Sequence, residues 1–516
     1  MELVRNVLEY LGYIISAVII VLKTNSIFRY YQQSHYHLNS FKRILKHYYL
    51  GKYQYLIFLI LSFVFFLDKW YVGLLYVLYL VILIYFHYKQ KDILKLKWTK
   101  RIYRNYFLLV IISTILVSTL LYLVNLPDLN SALALTIFFL PFLVFLSCVI
   151  IYPVEILIAK YYQQKAKRKL NKINPLIIGI TGSYGKTTTK NFLAEFLKDK
   201  YITLATRKSF NTLNGISISI NEDLGKETEV FIVEMGASHV DDLSKLLKLV
   251  KPNYAILTGI TYQHLETFKT VQNIINEKIK IVEALDNKGI AVINGDDEFL
   301  KSIKINTKAK IIKFGFNSSN DYYATDIVLD KDKLSFTINY KNKSLNVTTN
   351  LVGKHNILNI LASFALAKEL GVSDNELVTK ISMLELPNNR LKVEKMGTFT
   401  IIDDSFNSNN LGFQNALEVL SLYPSPKVLI TPGIVEGGSL EFDLNFNIAS
   451  EIKKVADEVV LIKTKASMHI YEGLKKCGYT NIKIVDSFVE GRNYVFEKYP
   501  KATILIENDV SDIYKI

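Results

Sequence analysis

Seven consecutive residues, Gly182-Ser183-Tyr184-Gly185-Lys186-Thr187-Thr188, have the types that grip a polyphosphate. A short apolar run, Leu176–Thr181, leads into them, and a helical pattern of Phe192, Leu193, Phe196 and Leu197 leads out. Strand, glycine-rich loop, Lys-Thr and helix make a phosphate-binding loop. Its glycines let the backbone come close to the phosphates, and the N–H groups at the helix N-terminus point at them. The lysine ammonium reaches the β and γ oxygens, and the threonine hydroxyl is placed to ligate Mg²⁺. The spacing departs from the common Gly-x4-Gly-Lys-Ser/Thr pattern: Ile180 stands where the first glycine belongs, and Gly179 comes one place early. The loop is read as an ATP site. Downstream, Glu234 closes a second apolar run, Val230–Val233. A carboxylate at the C-terminal edge of a strand is where ligands sit in a parallel sheet.

More motifs follow in order. They read FIVEMGAS at 231–238, AILTGITYQHLETF at 255–268, GIAVINGDD at 289–297, LVGKHNILN at 351–359, LPNNRLKVE at 386–394 and IIDDSFNSN at 401–409. With the phosphate loop, this succession resembles the Mur ligases, the ATP-dependent amide ligases of peptidoglycan assembly. Within that family it is most similar to the members that join a D-Ala-D-Ala dipeptide to UDP-MurNAc-tripeptide. The resemblance covers Pro175–Ile462.

The resemblance implies a role for each motif. The chemistry makes a carboxylate into an acyl phosphate, which an amine then attacks, so positioning and charge neutralisation dominate. Lys186 would hold the phosphates, and Thr187 with Glu234 would bind a first Mg²⁺. His264 would help bind a second. A carbamoylated lysine supplies carboxylate oxygens there, at Lys278 in preference to Lys280. Asn294, Asp297, His355, Asn356 and Asn359 match nucleotide contacts, although Asn and Asp at such places also cap helices. Arg390 matches an arginine that reaches the ATP phosphates from the hinge, and Asp404 a ribose contact of the C-terminal domain. Asn211, Thr212, Asn214 and Gly215 fall where the family has a substrate-side Asn-Gly loop. Asn407 and Asn409 lie in an Asp-Asp-Ser-Tyr-Asn-x-Asn pattern, with Phe406 for the tyrosine.

The elements that must position these residues occupy only part of the chain. It has 516 residues, half of them apolar, with a formal net charge of +15. The first 172 residues hold 21 Lys and Arg against 6 Asp and Glu, which is the whole excess. A neutral remainder excludes a uniformly basic nucleic-acid binder. Two cysteines, Cys148 and Cys477, exclude a disulfide scaffold and a four-cysteine zinc ribbon.

Five apolar runs, Leu8–Leu22, Tyr53–Leu67, Tyr71–Tyr88, Tyr106–Val124 and Ser131–Ala159, fall in the basic third. A crossing helix needs about 20 apolar residues, which the last three runs meet outright. The loops alternate between basic (Lys42, Arg43 and Lys46; Lys95, Lys97 and Arg101; Lys165, Lys167 and Arg168) and nearly uncharged. The positive-inside rule then puts the N-terminus outside and everything after residue 160 in the cytoplasm.

The expected architecture is multidomain: an α-helical membrane domain of about five helices at 1–172, an α/β phosphate-loop domain of Mur-ligase type at 173–386, and an α/β Rossmann-like domain at 387–516. Residues 305–350 are expected to form a small sheet insert. The expected protein is a multi-pass membrane ligase with ATP, two Mg²⁺ ions and a carbamoylated lysine. Its partners would be a carboxylate-bearing cell-wall precursor, a peptide or amino-acid amine, and the bilayer, with no nucleic acid. Three features depart from the family pattern. The membrane segment stands where the family has a soluble UDP-sugar domain, Thr431-Pro432-Gly433-Ile434-Val435-Glu436 replaces a Gly-Asp-Met-Leu-Glu stretch, and Ile506-Glu507-Asn508-Asp509 replaces a Lys-Gly-Ser stretch. They leave open a lipid-linked carboxylate or a γ-glutamyl polymer as substrate. A further class, an ATP-driven transporter or membrane scaffold, would need polar residues inside the runs, where Glu155 is the exception.

Overall fold

The computed structural model describes the chain except residues 1, 35, 47–69, 90–94, 125, 127–128, 332, 388–389, 407–408, 436 and 509–516. It divides into two compact units, Met1–Ala159 and Lys160–Val510.

The first unit is helical. Helices Glu2–Gln33, Trp70–Lys89, Lys100–Tyr122 and Leu129–Ile173 take in four of the five apolar runs, and the run at 53–67 lies outside the described residues. Asn6–Gln33, Lys100–Tyr122 and Leu129–Ile173 are long and apolar enough to cross a membrane. The first helix is far longer than its apolar run, because no Gly or Pro interrupts residues 23–33 and Ile27, Phe28 and Tyr31 are buried there. Glu155, the polar exception inside the runs, is only 7% exposed and receives two bonds from Arg104, Nε at 2.6 Å and Nη2 at 2.8 Å. Arg101 stands beside it, 3.9 Å away, donates to the Tyr31 hydroxyl at 3.1 Å and lies over the Tyr36 ring. A polar clamp thus ties the first helix to helices Lys100–Tyr122 and Leu129–Ile173.

The second unit carries two sheets. The strands of the first are β1 (Leu176–Thr181), β2 (Thr203–Ala205), β3 (Val230–Glu234), β4 (Tyr254–Leu257), β5 (Ile290–Asn294), β6 (Lys310–Gly315), β7 (Tyr322–Leu329), β8 (Leu334–Tyr340) and β9 (Lys343–Thr349). Their order is β2-β3-β1-β4-β5-β6-β7-β8-β9. All neighbours up to β7 pair parallel, and β7, β8 and β9 form an antiparallel meander. The inner strands are buried on both faces, as parallel strands covered by helices must be. Helices Lys186–Leu197 and His355–Glu369 cover one face through Phe192, Phe196, Leu361 and Phe364. Helix Val271–Glu283 covers the other through Ile274, Ile281 and Val282.

The sequence-expected insert is therefore an extension of the main sheet. It joins β6 through only two residue pairs, Phe314↔Tyr322 and Gly315↔Tyr323. Tyr322, Tyr340 and Phe364 fix it to the core as a stacked and edge-on aromatic group. The end of helix Leu129–Ile173 belongs to this unit. Ala166 and Leu170 share a core with Ile216 and Ile220, and Lys169 donates to the Asn221 carbonyl at 3.0 Å.

The other sheet comprises β10 (Lys392–Met396), β11 (Phe399–Asp404), β12 (Lys427–Thr431), β13 (Glu458–Ile462), β14 (Ile482–Val485) and β15 (Thr503–Glu507), in the order β10-β11-β15-β12-β13-β14. Only β10 and β11 pair antiparallel. It is the Rossmann-like arrangement that the strand–helix alternation implied. Lys354–Glu418 (2.8 Å) and Tyr423 hydroxyl to Lys331 carbonyl (2.7 Å) hold it to the first sheet's side of the unit.

The clamp makes a prediction. Glu155→Ala leaves two arginines without their acid. It should cost about 3 kcal/mol, the low end for breaking a buried pair because Arg104 is partly exposed. A drop of several degrees in the melting temperature of detergent-solubilised protein is expected, with Glu155→Gln intermediate. An unchanged melting curve would show that the clamp does not stabilise the helices.

Candidate active site

The phosphate loop leaves β1 between β3 and β4, where the strand order reverses, so a crevice opens at the strands' C-terminal ends. Gly182 (φ 150°) and Gly185 (φ 73°) take backbone conformations closed to other residues. A Cβ on Gly182 would strike the Thr258 hydroxyl, and one on Gly185 would strike Asn359 Oδ1. Gly185 heads helix Lys186–Leu197, whose free N–H groups face the loop. Ser183 is tied to β4's exit by two backbone bonds, its N–H to the Gly259 carbonyl (2.8 Å) and its Oγ from the Thr261 N–H (3.0 Å). Tyr184 lies over Gly259, and its hydroxyl accepts from Asn294 Nδ2 at 3.3 Å.

The Lys186 ammonium bonds the Gly182 and Ser183 carbonyls at 2.8 and 3.3 Å. Burial pushes it down to about 8, with Glu234 opposing and Arg390 adding to the shift. Glu234, 1% exposed, accepts Thr187 Oγ1 (3.0 Å) and Lys190 Nζ (3.2 Å) on Oε2 and Asn211 Nδ2 (3.1 Å) on Oε1. Thr188 is buried in the same helix.

Lys278 is 2% exposed and forms no hydrogen bond among the described residues. Burial pushes its amine down to about 7, and the charge of nearby Lys186 adds to this. Lys280 faces elsewhere, held by Glu277 (2.7 Å), Asp241 (3.2 Å) and the Ser244 hydroxyl (3.0 Å). Of the two lysines, Lys278 is the buried one. His264 is half-buried, in the left-handed region (φ 59°), at the head of the short helix Leu265–Phe268. The backbone of Gly438, from the second sheet's side, lies against Glu266 two residues on.

Arg390 lies between the two sheets. Burial lowers it from its ordinary value, opposed by Asp404 and Glu234, and it stacks over the Phe406 ring at 4.0 Å. Asp404 ends β11 opposite Glu507 of β15. Burial pushes its carboxyl up to about 6, opposed chiefly by Arg390, and its Oδ1 accepts the Leu391 N–H at 3.2 Å.

Several sequence candidates also make framework bonds. Asp297 caps helix Glu298–Lys301 through the Phe299 and Leu300 N–H groups and accepts the Ile260 N–H at 2.7 Å. Asn359 Oδ1 receives Thr189 Oγ1 at 3.2 Å, and its Nδ2 donates to Asn356, which donates in turn to the Val352 carbonyl. These two asparagines brace the floor of the phosphate loop. Thr212 and Asn409 are N-caps. Asn214 bonds Gln163 on an exposed surface, apart from Glu234. His355 starts helix His355–Glu369 with Nδ1 buried and unbonded, and burial pushes its ring down to about 4. Asn407 lies outside the described residues. Lys190 and Thr206 were missed. Thr206 accepts the Glu234 N–H at 3.2 Å. A lysine on a helix face otherwise filled by Leu193 and Leu197 was the available signal for Lys190.

The model of the Mur ligase middle domain matches residues 180–367. The UDP-N-acetylmuramoyl-tripeptide--D-alanyl-D-alanine ligase of Borreliella burgdorferi is 31% identical over 329 residues, which cover 59% of this chain and 69% of that protein. The enzyme of the same name from Buchnera aphidicola is 27% identical over 363 residues, 67% of this chain and 77% of that one. The crystal structure of MurF from Acinetobacter baumannii superposes with a TM-score of 0.61 at 25% identity, covering 68% of this chain and 77% of that one. The chain belongs to the Mur ligase family, enzymes that form a C–N bond with ATP and release ADP. Within it the chain is most like MurF.

A prediction follows from the loop's backbone. Gly185→Ala forces a side chain into a left-handed position, at roughly 1–2 kcal/mol, and into Asn359. Nucleotide affinity by calorimetry should fall at least tenfold while the melting temperature moves little. Retained affinity would mean the loop can relax around the methyl group.

Proposed function

We propose that this protein is a MurF-like ligase that joins D-Ala-D-Ala to a muramoyl tripeptide, held at the membrane with its ligase unit in the cytoplasm. The reading rests on one observation above all: the phosphate loop, the Thr187–Glu234 pair, Lys278 and Arg390 gather around one crevice. The three long apolar helices support the membrane location.

The residues at the crevice suit Mg²⁺. Thr187 and Glu234 offer adjacent hard oxygens 3.0 Å apart, and no group of three His, Cys, Asp or Glu stands together among the described residues. A nucleotide-bridged Mg²⁺ takes only one or two protein ligands, where a structural metal would need more. When bound, Mg²⁺ would neutralise the β and γ oxygens. Lys278 suits carbamoylation: a buried amine pushed toward neutral pH is available as the free base, and CO₂ adds to it with loss of one proton. The carbamate oxygens, with His264, would hold a second Mg²⁺.

In the reaction the substrate carboxylate oxygen bonds to the γ-phosphorus and ADP leaves. The amine nitrogen then bonds to the acyl carbon, and phosphate leaves with loss of a proton. Lys186 and the loop N–H groups hold the transferred phosphoryl group. Arg390, reaching in from between the sheets, adds positive charge as the sheets close on ATP. Asp404 would hold the ribose, and Asn211, which already bonds Glu234, faces the carboxylate substrate.

A second reading keeps the chemistry and changes the carrier. The residues ahead of the family match form apolar helices, which favours a lipid-linked carboxylate over a UDP-linked one.

Detergent-solubilised protein with Mg²⁺, UDP-MurNAc-tripeptide and D-Ala-D-Ala should release ADP and phosphate only when both substrates are present, and yield the pentapeptide mass. Lys186→Ala should lower kcat by about 100-fold or more. ATP turnover with a lipid-linked acceptor alone would select the second reading, and none with either would sink both. In Lys278→Ala, activity should be lost and partly restored by a small carboxylate such as acetate or propionate filling the vacated place. Lys280→Ala should stay active. Equal loss at both positions would argue against a carbamate.

A further inference from the structure

Lys190 sits one helical turn beyond Lys186, and none of the steps above uses it. Its side chain is 1% exposed, and its Nζ donates to Glu234 Oε2 at 3.2 Å and to the Lys208 carbonyl. Helix Lys186–Leu197 otherwise fills its buried faces with Thr189, Phe192, Leu193, Phe196 and Leu197. An ammonium placed among them is costly, since removing a charge from water is offset only by good partners. A threonine or an alanine would serve the helix without that cost.

The partners give the reason. Glu234 ends β3, while Lys208 lies between β2 and helix Leu213–Asp223. From the same connection, Thr206 accepts the Glu234 N–H and Asn211 donates to its Oε1. Lys190 is thus the one side chain among the described residues that bonds both the Glu234 carboxylate and the backbone of that connection. Remove it, and Thr187 on Oε2 and Asn211 on Oε1 still bond Glu234, but the charged bond on Oε2 and the tie from the carboxylate to the Lys208 backbone are lost.

We propose that Lys190 is a positioning residue: it fixes the orientation in which Glu234 meets the metal and locks the 206–211 connection to that carboxylate, so that the nucleotide side and the substrate side are set together. The role rests on the assignment of Glu234 to Mg²⁺. It differs from two simpler ones. A pure counter-charge would be displaced by the metal and would oppose its binding. A purely structural lysine would affect folding alone.

The test uses full-length protein in detergent, with Mn²⁺ as a paramagnetic probe titrated in the presence of ADP. Lys190→Met should weaken Mn²⁺ about 10- to 100-fold, the range for losing a residue that orients a metal ligand. ADP affinity without metal should hold within about twofold, since Lys190 touches no loop group. Lys190→Gln keeps a hydrogen bond without the charge and should fall between, and Lys190→Arg should recover part of the loss. If Lys190→Met does not fold, the Gln and Arg pair carries the comparison. In turnover, the Mg²⁺ half-saturation should rise and kcat fall, while KM for ATP at saturating Mg²⁺ stays. Tighter Mn²⁺ binding in the Met or Gln variant would overturn the proposal in favour of a counter-charge. Unchanged Mn²⁺ binding with a lowered melting temperature would overturn it in favour of a structural role. Wild-type protein that binds ADP but no Mn²⁺ would remove the Glu234 assignment itself, and the proposal with it.

Discussion

A single buried carboxylate organises the catalytic unit. Glu234 is carried to the end of a strand with both faces covered, where a lone negative charge would be untenable. It is made tolerable by three side chains from two elements: Thr187 and Lys190 from the helix after β1, and Asn211 from the connection after β2. The sheet order β2-β3-β1 makes this possible, because β3 lies between the two strands whose exits supply the partners. The register pairs Ile180 with Glu234, so the phosphate loop begins two residues beyond the level of the carboxylate, at Gly182. Topology, pairing register and side-chain chemistry therefore meet at one residue. A shift of β3 by a single position would turn Glu234 to the other face and dismantle the site.

The same frame explains why the loop dispenses with its usual first glycine. Ile180 is still inside β1, paired on both sides with Glu234 and Ile256 and fully buried. An extended, buried position favours a β-branched residue and gives glycine no advantage. The special backbone begins two residues later, at Gly182, and ends at Gly185. The cost of the irregular backbone is offset locally by the Ser183 bonds to Gly259 and Thr261, and by Asn359 beneath Gly185.

What the sequence made legible follows from how local each signal is. Strand, loop and helix around Lys186 are contiguous, so the phosphate site could be read outright. Arg390 and Asp404 were reached through resemblance; Arg390 lies near Glu234 and Lys186, and Asp404 lies beside Arg390. Residue type alone does not separate two uses of one side chain. Asp297, Thr212 and Asn409 have oxygens that suit a ligand, yet backbone N–H groups at helix starts take them up. Lys278 and Lys280 differ by two positions, and on a helix that means opposite faces. Ile274 and Ile281 flank Lys278 on the inward face, whereas Lys280 reaches Glu277 and Asp241 outside. Lys190 went unread because its partner is 44 residues away and is joined to it only by strand pairing. The 305–350 segment was read correctly as sheet, but its attachment through two residue pairs is a tertiary fact with no local signature.

The charges around the crevice point to why a nucleotide belongs there. Lys186, Lys190, Lys278 and Arg390 line the crevice, and burial pushes all four below their ordinary values, with Arg390 adding to the shift of Lys186 and Lys186 to that of Lys278. A lysine whose folded value lies below its unfolded one costs stability in full below the folded value, and the cost fades as pH rises toward the unfolded one. At neutral pH the unliganded site therefore bears much of this strain, since Lys186 and Lys278 lie near 8 and 7. A polyphosphate set among them supplies the missing negative charge in a place largely shielded from water, where charge complementarity counts most. The strain of the unliganded crevice is thereby turned into affinity for ATP, and the arginine between the two sheets makes their closure part of the same neutralisation.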